Sequence, residues 1–305
     1  MRRQLVAACG AVAMVTMLMP STSASRHSKW SEWSAPVNLG AAINTSFGDA
    51  APAISQDGLT LYFVSNRPGV PPDAFGDNDL YVARRDSVDH PWDLPVNLGA
   101  KINTAAFEGF PALSRNEHHL FFNRTSGDIW VSYRKNVHDD LGDGGWQVPV
   151  PLGPGVNTPD TEAGPAYFEN RKRGLPQLFF SSVRPVGAPS DIYVAEAFGS
   201  AVPVNELNST GNDSKPSITA DGLEIFFHSN RTGSAGNDLY SSVRKSVLEP
   251  WSQPESLGTV VNSAAIDFLA GISPDGDTLF FTSTRDGGFG ANDLYMTTRR
   301  KHGRR

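Results

Sequence analysis

Beyond its N-terminal run, this sequence has no cysteine. The single cysteine of the 305 residues, Cys9, lies inside that run, so no disulfide can stabilise the remainder of the chain. Basic residues are not in excess either. The formal net charge is −6, which argues against nucleic acid as a partner because phosphate binding requires a clustered basic surface. We therefore expect a fold stabilised by its hydrophobic core alone.

Long hydrophobic runs are also missing, apart from one at the N-terminus. It extends from Leu5 to Met19, shorter than the roughly 20 residues of a membrane-spanning helix. Arg2 and Arg3 precede it and small residues follow, a pattern that predicts a signal peptide over residues 1–24. The chain is then expected to be secreted or periplasmic, without a stable membrane span. Lipid attachment at Cys9 is not expected, because the apolar stretch continues beyond it.

After this run no stretch of a dozen residues shows helical periodicity, and one pattern occurs five times instead. Each copy contains an acidic residue before a short apolar strand, then a turn and a strand such as Leu61-Tyr-Phe63. A third strand begins at an Asp-Leu-Tyr or similar motif, and a fourth is predicted to start at a Trp. Asp-Gly occupies the turn in copies one, four and five, and indicates a hairpin in which both central residues have positive φ.

Four strands in about 50 residues is the size of a propeller blade. We predict an all-β, five-bladed β-propeller over residues 33–300, with four-stranded antiparallel blades. It follows a short linker at 25–32 and precedes a solvated basic tail at 301–305, part of a basic cluster that starts at Arg299. No fourth strand follows Asp293-Leu-Tyr295, so the N-terminal strand from Trp33 to Leu39 should complete the last blade and close the ring.

The motifs Pro52-Ala-Ile-Ser-Gln-Asp-Gly58, Leu61-Tyr-Phe-Val-Ser-Asn-Arg67 and Asn78-Asp-Leu-Tyr-Val82 resemble the WD40-like propeller repeat of the TolB type. The resemblance covers roughly residues 33 to 300 and is specific for fold. It implies an exported propeller that serves as a protein- or envelope-binding platform, and it implies no single activity. Copies two and three depart from the pattern, with Asn116-Glu and Asn170-Arg in place of Asp-Gly.

Most repeated residues are expected to build the blades. The Trp and aromatic positions should pack between blades. An arginine ends each second strand and an aspartate starts each third strand, which suggests an ion pair within every blade. The arginines are Arg67, Arg124, Arg184, Arg231 and Arg285, and the aspartates are Asp79, Asp128, Asp191, Asp238 and Asp293.

The acidic residue before the innermost strand is the main candidate for function. The five copies, expected near the channel mouth, are Asp49, Glu108, Glu162, Asp213 and Asp267. Each could cap its own loop by accepting backbone N–H bonds. Alternatively, they could form a ligand-binding cluster, recruit Ca²⁺ through hard oxygen ligands, or supply the catalytic carboxylates of glycoside cleavage. His228 is a weaker ligand-binding candidate. No cofactor other than Ca²⁺ is suggested.

Two functions remain open at this stage. The first is a non-enzymatic platform, expected to be a monomer, that binds a protein, glycan or envelope component at the channel mouth. The second is a secreted carbohydrate-active hydrolase or lyase. An enzyme should have one deep, asymmetric pocket with unequal carboxylates, whereas a platform should keep a shallow, near-symmetric mouth. Extra residues at 138–145 and 169–176, in copies two and three, could wall one side of a site.

Overall fold

The computed structural model describes residues 29–68, 78–125, 127–137 and 145–302, and forms five sheets of four antiparallel strands each. The innermost strands are β2 (Asp49–Ile54), β6 (Glu108–Leu113), β10 (Glu162–Asn170), β14 (Asp213–Ile218) and β18 (Asp267–Ile272). The second strands are β3 (Thr60–Ser65), β7 (His119–Arg124), β11 (Leu175–Ser182), β15 (Glu224–Ser229) and β19 (Thr278–Ser283). The third strands are β4 (Asp79–Arg84), β8 (Asp128–Tyr133), β12 (Asp191–Glu196), β16 (Asp238–Val243) and β20 (Asp293–Thr298). The outermost strands are β5 (Val96–Asn97), β9 (Val150–Pro151), β13 (Val202–Pro203), β17 (Glu255–Ser256) and β1 (Val37–Asn38).

These sheets are the five blades of a β-propeller, as the repeat predicts. The only helix in the described ranges is the single turn α1 (Gly258–Val261), so no described helix has the length and apolarity that crossing a membrane requires. The innermost strand of each blade contacts those of its two neighbours, which places β2, β6, β10, β14 and β18 around a central channel. Blades one to five are numbered here in the order of these strands.

The core lies between adjacent blades. Two consecutive aromatic side chains of each second strand are buried. Successive side chains of a strand point to opposite faces of the sheet, and both faces of each blade are packed against a neighbouring blade. Phe226 of blade four packs edge-to-face against Trp33 of blade five, and Phe280 of blade five packs against Trp92 of blade one. The predicted packing of Trp and aromatic residues between blades is confirmed.

The ring is closed by the N-terminal strand, as predicted. β1 pairs antiparallel with β20, with Val37 opposite Met296, and completes the fifth blade. The side-chain amide of Asn44 donates to the backbone carbonyl of Leu294 and accepts from its backbone N–H, at 2.9 and 2.8 Å. Pairing also continues beyond residues 33–300, since Trp30 forms a β-bridge with Lys301.

The fourth strand does not start at the Trp, contrary to the expectation. The Trp lies four residues earlier, where its ring stacks on an arginine that follows the third strand, at 4.1 to 4.5 Å. These pairs are Trp92–Arg85, Trp146–Arg134, Trp251–Arg244 and Trp33–Arg299. Arg299 is therefore buried, not part of a solvated tail; residues 303–305 lie outside the described ranges. In blade three Ala197 follows the third strand and Phe198 lies four residues before the fourth, so this blade lacks both the arginine and the Trp.

The Asp-Gly turns differ from the predicted hairpin in one respect. Only the glycine has positive φ, for example +75° at Gly58. Asp57 instead accepts hydrogen bonds from the Ser55 hydroxyl and the Leu59 backbone N–H. The loop between β2 and β3 is longer than a two-residue hairpin turn. The side chain of Asp57 stabilises this loop. In blade two, Glu117 has the positive φ, +58°.

Candidate functional site

The five acidic residues at the start of the innermost strands are completely buried, each in the same local network. In blade one, Asp49 accepts from the backbone N–H and the hydroxyl of Thr45, at 2.6 and 2.8 Å. It also accepts from the guanidinium of Arg67 at 2.6 Å. The other pairs are Glu108–Arg124, Glu162–Arg184, Asp213–Arg231 and Asp267–Arg285. Every copy therefore caps its own loop and neutralises its own arginine.

This network replaces the ion pair predicted within each blade. The arginines do not pair with the aspartates that start the third strands; that prediction is wrong. Asp49 lies opposite Ser65 in the β2–β3 ladder, which brings Arg67, two residues further on, back over its carboxylate. The guanidinium also lies over the rings of Phe63 and Tyr81, at 5.3 and 5.0 Å. Burial raises the pKa of Glu108, opposed by hydrogen bonds from Thr104 and by Arg124.

The geometry keeps these five carboxylates apart as five separate ion pairs, one per blade. No group of three or more His, Cys, Asp or Glu side chains suited to a metal ion occurs in the ranges that the structure describes. The catalytic, ligand-binding and calcium hypotheses for these residues remain predictions, whereas the loop-capping contact is present in all five copies.

A different position breaks the symmetry of the ring. The ladder between the first and second strands shifts register in every blade, two residues after the acid. The third residue of each innermost strand has positive φ at this bulge, between +53° and +61°. The five residues are Ala51, Phe110, Gly164, Lys215 and Leu269. The same backbone conformation thus carries a different residue type in each of the five blades. Alignment of the five repeats could have shown this variation.

In four blades the backbone N–H of the bulge residue bonds to a side chain on the second strand of the preceding blade. Lys215 N–H donates to the Ser181 hydroxyl at 2.7 Å, and Ala51 N–H donates to the Thr282 hydroxyl at 3.0 Å. Leu269 N–H donates to Nδ1 of His228 at 3.4 Å. His228 therefore has a structural contact of its own, and it also lines a cavity at the channel, described below. Because Nδ1 accepts, the neutral ring carries its proton on Nε2.

Lys215 is the residue that sequence reasoning missed. It is only 4% exposed and forms no ion pair with any described carboxylate. Its side chain crosses Gly164 of blade three, where a Cβ would lie 2.9 Å from the Lys215 Cδ. Blade three thus leaves space at its bulge for the long side chain of blade four. Burial lowers the pKa of Lys215 from 10.5 to about 8.

Lys215 and His228 line a cavity of about 360 Å³ bordered by blades two, three, four and five, which we call the Lys215 cavity. Polar lining residues include Thr161, Ser181, Ser182, Ser190, Ser214 and Asn237, and apolar ones include Phe110, Phe268 and Leu269. No Asp or Glu belongs to the described lining. The cavity is asymmetric, as expected of an enzyme pocket, but it lacks the unequal carboxylates that were expected with it.

A smaller cavity of about 110 Å³ is also lined by the innermost strands, and Lys215 borders both. Tyr167 and Glu169 of blade three contribute to it. The extra residues of copy three therefore begin beside this cavity and not at the Lys215 cavity. The extra residues of copy two lie outside the described ranges, except Gly145.

The buried histidine predicts a loss of stability in acid. Burial, with a contribution from the Lys215 charge, lowers the pKa of His228 from 6.5 to about 3. Between these values the unfolded chain binds a proton that the folded chain excludes. The free energy of unfolding should therefore fall as pH drops from 6.5 towards 3, by roughly 4 to 5 kcal/mol from this group.

Denaturant titrations at several pH values would measure the effect against the variant His228→Thr. Thr282 occupies the same position in blade five and accepts the same backbone bond, so the variant keeps the contact but removes the titrating ring. The acid-dependent difference should disappear in His228→Thr. Identical pH profiles for the two proteins would show that His228 is not buried as a neutral ring.

No protein-family model matches the sequence, and no curated protein matches it. Solved structures do. A thermostable family-43 glycoside hydrolase superposes with a TM-score of 0.56 at 13% identity, covering 84% of this chain and 91% of the other. An α-L-arabinofuranosidase from Lactobacillus brevis has a TM-score of 0.54 at 14% identity, with coverages of 83% and 90%. A TolB-like protein from Agrobacterium tumefaciens has a TM-score of 0.49 at 18% identity, with coverages of 85% and 80%. At these identities the similarity to the two hydrolases shows the fold alone.

Proposed function

We propose that this protein is a ligand-binding module whose ligand enters the Lys215 cavity. The observation that carries the proposal is a buried ammonium group without a carboxylate partner, in a cavity lined by further hydrogen-bond donors. A buried, uncompensated charge costs stability, and groups with strongly perturbed pKa values cluster at functional sites. The asymmetry of the bulge positions supports the same conclusion, because blade construction alone would repeat one residue type.

Glycoside cleavage is less well supported by the geometry. That reaction uses two carboxyl groups about 5 to 10 Å apart on either side of the scissile bond. The described lining of the Lys215 cavity contains neither Asp nor Glu, and the ring carboxylates are all bonded to arginines. The two hydrolases with similar structures share the propeller, and a propeller by itself does not determine an activity. Export across a membrane and a monomeric state remain part of the proposal.

A combined binding and hydrolysis screen with glycans and small organic ligands would test this function. The variant Ala163→Phe places in blade three the residue that blade five has at Phe268, and it should fill part of the cavity and reduce binding at least tenfold. The double variant Glu108→Gln/Glu162→Gln should bind as the wild type does, provided that it folds. Hydrolysis of an arabinose- or xylose-containing oligosaccharide by the wild type, lost in the double variant, would contradict the proposal.

A further inference from the structure

The Lys215 cavity presents donors and one positive charge, and this combination specifies the chemistry of a ligand. Nε2–H of His228 is available because Nδ1 accepts from the backbone. The Ser181 hydroxyl accepts from Lys215 N–H, which leaves its own proton free to donate. The Ser214 hydroxyl donates to that of Ser190, so the Ser190 proton is free as well. The cavity is therefore complementary to a group with several acceptor lone pairs.

Charge balance further restricts which anionic group the cavity can bind. The cavity holds a single ammonium group with no compensating carboxylate in its described lining. A monoanion would neutralise it, whereas a phosphate with a charge near −2 would leave a second negative charge buried without a cation. With a pKa of about 8, Lys215 is about 90% protonated at pH 7 and can supply the positive charge.

We infer that the Lys215 cavity binds the carboxylate group of an organic monoanion, an inference that rests on the proposed binding function. Phe110, Phe268 and Leu269 give it apolar walls, and the Phe268 ring meets His228 edge-to-face at 6.0 Å between ring centres. A volume of about 360 Å³ is at the small end of ligand sites in proteins. The carboxylate enters beside Lys215, and the body of the acid packs against these walls.

Two sources can present such a group, a free organic acid and the uronic acid unit of a glycan. Isothermal titration calorimetry with the full chain distinguishes them through three acids and their neutral amides. The pairs are phenylacetate and phenylacetamide, hexanoate and hexanamide, and glucuronate and glucuronamide. We expect at least one acid to bind tenfold or more tightly than its amide. Tighter binding of phenylacetate or hexanoate indicates a free apolar acid, and tighter binding of glucuronate indicates a glycan.

The variant Lys215→Met should reduce the affinity for that acid to the affinity for its amide. It should also melt at a higher temperature than the wild type, because it removes an unpaired buried charge. Loss of binding in a more stable protein cannot result from unfolding. Lys245→Met is the matched control, since this exposed lysine of the same blade carries the same charge. In the wild type, affinity should fall about tenfold per pH unit above pH 8.

Equal affinities for every acid and its amide would overturn the carboxylate assignment, as would unchanged binding in Lys215→Met. Tighter binding of inorganic phosphate than of any of the acids would overturn it too. These outcomes leave the proposed function intact if Ala163→Phe still abolishes binding of another ligand. Absence of binding by all probes and by the glycans of the wider screen would contradict both.

Discussion

Removal of residues 30–45 should abolish cooperative unfolding. This segment supplies the outermost strand of blade five, Trp33 against Phe226, and Ile43, which is completely buried in the core between blades one and five. Without it, the backbone edge of β20 loses its partner and the first and last blades lose their closing contact. Thermal denaturation of the chain that starts at residue 25 should give one sharp transition. The deletion variant should give a broad transition or none.

A matched pair of point variants separates closure of the ring from loss of a hydrogen bond. Asn44 and Asn103 each bond to the backbone N–H and carbonyl of a third-strand residue. Asn103 bonds within a stretch of 23 residues, whereas Asn44 joins positions 250 residues apart. We expect Asn44→Ala to broaden the transition and Asn103→Ala to lower its midpoint without broadening it. A deletion variant that melts like the wild type would show that the ring does not depend on this strand.

Replacement of Asp267 by alanine should cost about 3 to 5 kcal/mol of unfolding free energy, because it leaves the guanidinium of Arg285, whose side chain is only 17% exposed, without its partner. The carboxylate is completely buried and bonds to Ser263 as well as to the guanidinium of Arg285 at 2.6 Å. The substitution therefore removes a loop cap together with an ion pair. Urea denaturation of the wild type and the variant would measure the difference.

Asp286→Ala is the control for this experiment, since it makes the same change in net charge at an exposed position of the same blade. Its cost should stay within about 0.5 kcal/mol. The double variant Asp267→Ala/Arg285→Met should recover part of the loss because it also removes the stranded charge. Similar free energies for Asp267→Ala and Asp286→Ala would show that the acid is not a structural element of the blade.

The fold could be predicted from the sequence because each blade is built from local information. A short apolar strand, a turn and a second, aromatic strand lie within about 20 residues of one another, and the unit is repeated five times. Closure of the ring could also be predicted, since the phase of the repeat leaves one blade without its fourth strand. The partner of Arg67 was predicted incorrectly because Asp49 and Asp79 both lie near it in sequence. Only the register of β2 against β3 distinguishes them.

The candidate site was predicted in part. His228, which occupies the same position as Thr282 of blade five, lines the Lys215 cavity as a candidate ligand residue. The acidic residues, the strongest candidates by sequence, are all bonded to arginines in the structure. Lys215 follows the repeated acid by only two positions, but nothing in a single repeat marks it. Its role depends on Gly164, 51 residues earlier in a different blade, which leaves room for its side chain.

The sequence by itself determined the number of blades, their strand order and the way the chain ends meet, because these follow from hydrophobic periodicity and the phase of the repeat. Tertiary structure alone decided which charges are neutralised and which is not. Strand register and contacts between blades determine how far apart two side chains lie and how much water reaches them, and neither quantity is local in sequence. The five carboxylates became ion pairs, and Lys215, at a bulge, became a buried cation with no ion-pair partner among the described residues.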